Sequence, residues 1–127
     1  MTRLLLIGLG GAIGSIARYL IVVWTAGAFG SSFPLGTLLV NIAGSFLLGF
    51  VMHFGTATEL LSANTRLALT TGALGGFTTY STFNFETTDY FRSGAWLYGT
   101  LNVFLTVAGC LAAGVLGLAA ARLIAGR

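Results

Sequence analysis

Charge is what this sequence has least of. Its 127 residues include six arginines, no lysine and three acids, so that 7% of the chain is charged against 56% hydrophobic. A soluble domain keeps itself dispersed with a surface on the order of 25–35% charged, so this composition calls for lipid as its solvent. The net charge of +3 is spread over isolated arginines, and without a basic run there is nothing to meet a nucleic-acid backbone. One cysteine, Cys110, excludes an intrachain disulfide and argues against a metal site built on thiolates. The only histidine, His53, and the acids Glu59 and Asp89 fall near predicted helix ends and read as interfacial. Hydrolytic chemistry needs a nucleophile paired with a base, or a metal triad; none can be assembled from these residues, and the chain reads as a non-enzyme.

What is present is apolar length. A membrane-spanning helix needs roughly 20 largely apolar residues, and four such stretches can be cut from the chain: Leu4 to Ala28, Leu35 to Gly55, Arg66 to Arg92, and Ala95 to Ile124. These predict an all-α membrane protein, one domain over residues 1–127, with the single proline, Pro34, in a loop. The opening Met1-Thr2-Arg3 and apolar run would also suit a secretory signal, but three further spans follow and the segment reads as the first helix. Four spans place Arg3, Arg66, Arg122 and Arg127 on one side and Arg92 on the other, a shallow bias that leaves insertion in both directions open.

Nineteen glycines would weaken helices in water, whereas in lipid small residues let helix backbones approach closely enough for van der Waals packing to drive association. Gly10 and Gly14 make such a step in the first span, and Gly109, Ala113 and Gly117 repeat it in the fourth; packing is the expected role of all five.

The third span departs from the rest. From Thr70 to Asp89 it is rich in hydroxyls and carries the pair Gly75-Gly76. Non-helical backbone at membrane depth is tolerated only beside protein or a polar cavity, so a break implies a site. Two half-helices meeting near Gly75 to Thr79 are the favoured reading; the alternative is a continuous helix whose serines and threonines bond back to their own carbonyls. Helical spacing from Tyr80 puts Phe83, Glu86 and Thr87 on one face, flanked by Thr79, Ser81 and Thr82. Asn41 adds an amide to the apolar second span, and Asn102, Thr106 and Cys110 form a stripe along the fourth. A path of amides, hydroxyls and aromatic edges without a cation suits a small anion held by weak, neutral contacts, as conduction requires. Arg18, among small residues of the first span, reads as structural; Glu86 reads as belonging to a pathway mouth.

The strings Gly-Gly-Ala-Ile-Gly-Ser-Ile-Ala-Arg18-Tyr, Pro34-Leu-Gly-Thr37-Leu-Leu-Val-Asn41-Ile-Ala-Gly and Gly75-Gly76-Phe-Thr78-Thr79-Tyr80-Ser81-Thr82-Phe83 resemble the fluoride channels known as Fluc or CrcB proteins over the whole chain. The resemblance implies four helices per subunit with the third broken, an antiparallel, dual-topology homodimer with two anion pathways, and passive export of fluoride across the bacterial inner membrane. It implies that Asn41 presents its amide to fluoride, that Tyr80 and Phe83 stand for two pore phenylalanines, and that Ser81 and Thr82 donate hydroxyls nearby. The carbonyls of Gly75 and Thr78 look like ligands of a central structural sodium ion, Na+. Glu86, Thr106 and Cys110 resemble an outer polar track. Tyr80 replaces the usual phenylalanine, and Cys110 the common serine, a thiol being the weaker donor. Small multidrug transporters, which also pair four-helix subunits, resemble this chain less, since its first span lacks their buried glutamate. A purely structural glycine-rich bundle would leave the polar third span unexplained.

Overall fold

The computed structural model describes residues 1–126; Arg127, placed above at the basic end, lies outside the described residues. Helices α1 (Thr2–Phe29), α2 (Leu35–Ala57) and α6 (Trp96–Ala125) are long and apolar enough to cross a membrane. Between α2 and α6 the chain crosses in pieces: α3 (Ala63–Leu67), a π-helical stretch (Ala68–Leu74), α4 (Gly75–Phe77), an extended step at Thr78 and Thr79, and α5 (Tyr80–Arg92). The 13-residue α5 rises only about 20 Å at 1.5 Å per residue, short of a hydrocarbon layer of roughly 30 Å. Only in series are Ala63–Phe77 and α5 long enough to reach across. No strand occurs among the described residues, and the chain is an all-helical, multi-pass membrane protein.

Local chemistry sets the ends. The third segment starts at Ala63, earlier than the apolar pattern indicates, because the Ser62 hydroxyl caps it by accepting the Thr65 N–H at 3.1 Å. At the end of α5, Ala95 N–H donates to the Tyr90 carbonyl and Gly94 N–H to that of Phe91. This double closure requires the left-handed φ of 80° that Gly94 adopts.

The bundle is apolar outside and polar within. Thr25, Thr37, Asn41, Thr79, Thr87, Asn102 and Thr106 are buried, whereas Leu4, Leu5, Leu9, Ile13 and Ile16 on α1 are each more than half exposed. That inversion follows from a solvent with no hydrogen bonds to offer. Backbones meet closely: a Cβ on Gly14 would strike the Ala73 carbonyl, one on Gly76 the Gly11 carbonyl, and one on Gly10 would stand 2.6 Å from the Ala68 carbonyl. The step Gly10/Gly14 thus faces the step Gly72/Gly76. On the other side, a Cβ on Gly117 would strike the Phe46 carbonyl and one on Gly49 that of Gly114, locking α2 to α6. These helices associate through small residues, as lipid demands.

Candidate functional site

The break lies at Thr78–Thr79, just beyond the glycine pair. Thr78 (ψ 158°) and Thr79 (ψ 117°) are extended, so their neighbours lose helical partners. Asn41 repairs this from α2. Its Oδ1 accepts the Thr79 N–H at 2.8 Å and its Nδ2 donates to the Thr79 carbonyl at 3.0 Å. One amide therefore satisfies both backbone groups of the severed residue, and its second N–H remains for another acceptor. Gly44, three residues on, lacks the Cβ that would strike the Thr78 methyl, which lets α2 lie against the break.

Thr79 is also the N-cap of α5: its hydroxyl oxygen receives the Thr82 N–H at 3.3 Å and donates to Thr82 Oγ1 at 3.0 Å, with Ser81 Oγ 3.3 Å away. Because the Thr79 N–H turns to Asn41, the Gly75 carbonyl loses its i+4 donor, and no backbone N–H reaches it or the Thr78 carbonyl among the described residues. The Gly76 carbonyl is approached by Ser15 Oγ at 3.5 Å. Such carbonyls are hard, neutral oxygens, the donor type that suits an alkali or alkaline-earth cation. No cluster of three metal-ligating side chains occurs among the described residues.

A groove of about 450 Å³ opens over the break, and Asn41, Tyr80, Phe83, Thr106 and Cys110 line it together with Gly75 and Thr78. The Tyr80 and Phe83 rings are 5.6 Å apart and inclined by 58°. Phe83 is buried while Tyr80 is 77% exposed, so the tyrosine ring has no cover from the rest of the chain. Ser81 and Thr82 begin α5 beside the groove without lining it. Ser45 and Thr70, not singled out in the sequence, are on its wall; Ser45 donates to the Asn41 carbonyl at 2.7 Å and Thr70 to that of Arg66 at 2.9 Å.

Glu86 stands in a second cavity, about 320 Å³, beside Thr37, Asp89, Tyr90 and the loop between α1 and α2. Thr37 donates to Glu86 Oε1 at 2.7 Å, and Oε2 is shielded without a partner. Thr37 and Asn41 are one turn apart on α2, a polar pair in an apolar helix that could have marked Thr37 in advance. Asn102 lines neither cavity; it is 1% exposed and donates to Thr87 Oγ1 at 2.9 Å. Arg18 is half-buried on α1; the one ion pair among the described residues joins the exposed Arg92 and Asp89. His53 lies within α2, one turn from its end, with Nε2 shielded and unpartnered, and Glu59 occupies the following loop with a positive φ of 57°.

The geometry is thus a groove lined by neutral polar side chains and two aromatic rings beside a backbone break, with an acidic second cavity. Residues 5–118 match the family described as CrcB-like protein, Camphor Resistance (CrcB). A protein of Sorangium cellulosum named Fluoride-specific ion channel FluC is 52% identical over 127 residues, covering 99% of this chain and 100% of its own. Proteins of the same name from Anaeromyxobacter dehalogenans and Clostridium perfringens are 48% identical (99% of this chain, 100% of theirs) and 43% identical (94% of each). With a family match over most of its length and relatives alike from end to end, the chain belongs to the CrcB family.

Proposed function

We propose that this chain is a fluoride-selective channel that exports fluoride passively, working as an antiparallel homodimer with two anion pathways. The observation that carries the reading is the groove at the break, whose wall combines the Asn41 amide, the rings of Tyr80 and Phe83, and the Thr106 and Cys110 side chains without a cation. The relatives' name supplies the identity of the ion.

Fluoride is small and strongly hydrated, so a pathway must replace its water shell piece by piece and still release it. The spare N–H of Asn41 is held in place by the two bonds to Thr79. Phe83 and Tyr80 offer electropositive ring edges, and the Tyr80 hydroxyl adds a donor. Ser81 and Thr82, tied to Thr79, continue the donors along α5. None binds as hard as a guanidinium would. Glu86 and Thr37 belong to the mouth, where their polar groups keep the approach wet.

Support for the dimer comes from the uncovered Tyr80 ring, a pore residue that needs a second surface. Support for dual topology comes from the charge: Arg3, Arg66 and Arg122 at one end are opposed by Arg92, itself paired with Asp89, so the orientation bias is shallow. The orphaned carbonyls of Gly75 and Thr78, repeated in two chains, would hold a sodium ion, whose charge would offset buried oxygen dipoles at the subunit interface.

Proteoliposomes loaded with fluoride or chloride, with an ionophore to dissipate voltage, test the reading. The wild type is expected to release fluoride rapidly and chloride hardly at all, and Phe83→Ile and Asn41→Asp to release neither. Absence of fluoride efflux from verified, reconstituted wild-type dimers would overturn it.

A further inference from the structure

We propose that Asn102, Thr87 and the backbone carbonyl of Phe83 form a positioning relay that fixes the Phe83 ring at the wall of the groove, with Asn102 acting through α5 rather than touching the ion. In its flux readout the proposal rests on the channel reading above; its spectroscopic readout does not.

The relay is directional. Thr87 Oγ1 lies 2.8 Å from the Phe83 carbonyl, which can only accept, so the hydroxyl's single proton goes there. The hydroxyl oxygen must then accept from Asn102 at 2.9 Å, which sets the amide with its NH2 toward Thr87. A threonine bonded to the carbonyl four residues back is commonplace in membrane helices. The added donor from another helix turns a local bond into a tie between α5 and α6.

The helices are brought together for that contact. Gly99 is nearly one turn before Asn102 on α6, and a Cβ there would come within 2.5 Å of the Phe91 ring. Phe91 in turn is one turn beyond Thr87, so α6 meets α5 at two successive levels: ring on glycine, then amide on hydroxyl. Above them, Phe83 occupies the turn between this tie and the Asn41 clamp at Thr79. Held at both ends, the Phe83 backbone has little freedom, and its ring enters the groove while Asn102 stays enclosed. The stripe Asn102–Thr106–Cys110 therefore divides. Its last two members line the groove, and its first anchors the helix that supplies the aromatic wall.

Two near-isosteric changes separate positioning from ion contact. Asn102→Leu removes the donor and Thr87→Val removes the acceptor while nearly preserving shape; Thr87→Ser keeps the hydroxyl. In fluoride efflux, each of the first two is expected to slow the wild-type rate about tenfold, the worth of one hydrogen bond. The double variant should match the slower single one within about twofold, since coupled partners are not additive, and Thr87→Ser should stay within about threefold. A 4-fluorophenylalanine installed at position 83 gives the readout independent of transport. Its fluorine resonance should be displaced or broadened alike by Asn102→Leu and Thr87→Val, and restored by Thr87→Ser. Slow efflux in Asn102→Leu with normal efflux in Thr87→Val, effects that multiply, or an unmoved resonance in Asn102→Leu would each overturn the relay. If wild-type dimers move no fluoride, the channel reading falls and the resonance at position 83 alone decides the relay.

Discussion

The pair α2/α6 and the pair formed by α1 with the third segment are closed by the same device and put to different uses. In both, glycines bring backbone against backbone: Gly49 and Gly117 seat α2 on α6, Gly14 and Gly76 seat α1 on the third segment. Yet α2 and α6 run unbroken for 23 and 30 residues and satisfy their own amides, whereas the third segment widens into a π-helix and then parts at Thr78–Thr79. Close packing alone does not stabilise a break in lipid, because orphaned amides and carbonyls find no water. The straight pair supplies what the broken segment lacks. Asn41 comes from α2 and Asn102 from α6, and each bonds the broken segment from a helix that needs nothing in return. Intact helices here serve as scaffolds that lend polar side chains to the one element that cannot close itself.

The sharpest way to break that division is Asn41→Leu. It leaves the Thr79 N–H and carbonyl both without their partner, and two buried backbone groups unsatisfied at ~1–3 kcal/mol each cost ~2–6 kcal/mol. Fluoride efflux should vanish and the melting temperature of the protein should fall by several degrees. Wild-type efflux from this variant would mean that the break holds itself open without α2.

Next in size is a matched pair of glycine substitutions. Gly14→Val and Gly117→Val each drive a Cβ into a backbone carbonyl on the facing element, and overpacking against backbone that cannot rotate away costs at least ~1–3 kcal/mol. Both should lower the melting temperature by similar amounts. Only Gly14 also adjoins the break, where its Cβ would stand 2.9 Å from the Phe77 nitrogen. Gly14→Val should therefore change the fluoride-to-chloride efflux ratio in protein that still folds, and Gly117→Val should not. Gly8, where an added Cβ would meet nothing within 4 Å, is the control: Gly8→Ala should leave both readings unchanged.

The same contrast explains what could be read from the sequence. Apolar runs announce the straight helices, because a spanning helix must be apolar throughout its length. The hydroxyls and glycines between Thr70 and Thr82 announce a disturbance, since they fit lipid badly. They place it near Gly75 to Thr79, and it falls at the far end of that range, at Thr78–Thr79. Gly75 and Gly76 lie inside helix α4, and the requirement for glycine at Gly76 is its approach to Gly11, not freedom to break. The π-helical stretch has no compositional mark. The pairings of Asn41 with Thr79, Thr37 with Glu86 and Asn102 with Thr87 cross 38, 49 and 15 residues. They depend on how helices face one another, which a pattern along one helix does not encode. For that reason Asn102 reads as equivalent to Thr106 and Cys110 in the sequence, although its surroundings are different.

The smallest expected effect sharpens the comparison from the scaffold side. Cys110 lines the groove from unbroken α6, and Cys110→Ser exchanges a weak thiol donor for a hydroxyl. A serine on an intact membrane helix readily bonds the carbonyl four residues back, here that of Thr106, so much of the added donor strength is consumed within the helix. Fluoride efflux should change by less than about threefold, below the roughly tenfold worth of a full hydrogen bond, with the melting temperature unaltered. A tenfold gain in the same efflux assay would place the tightest step of the pathway beside Cys110, on α6, and not at the break.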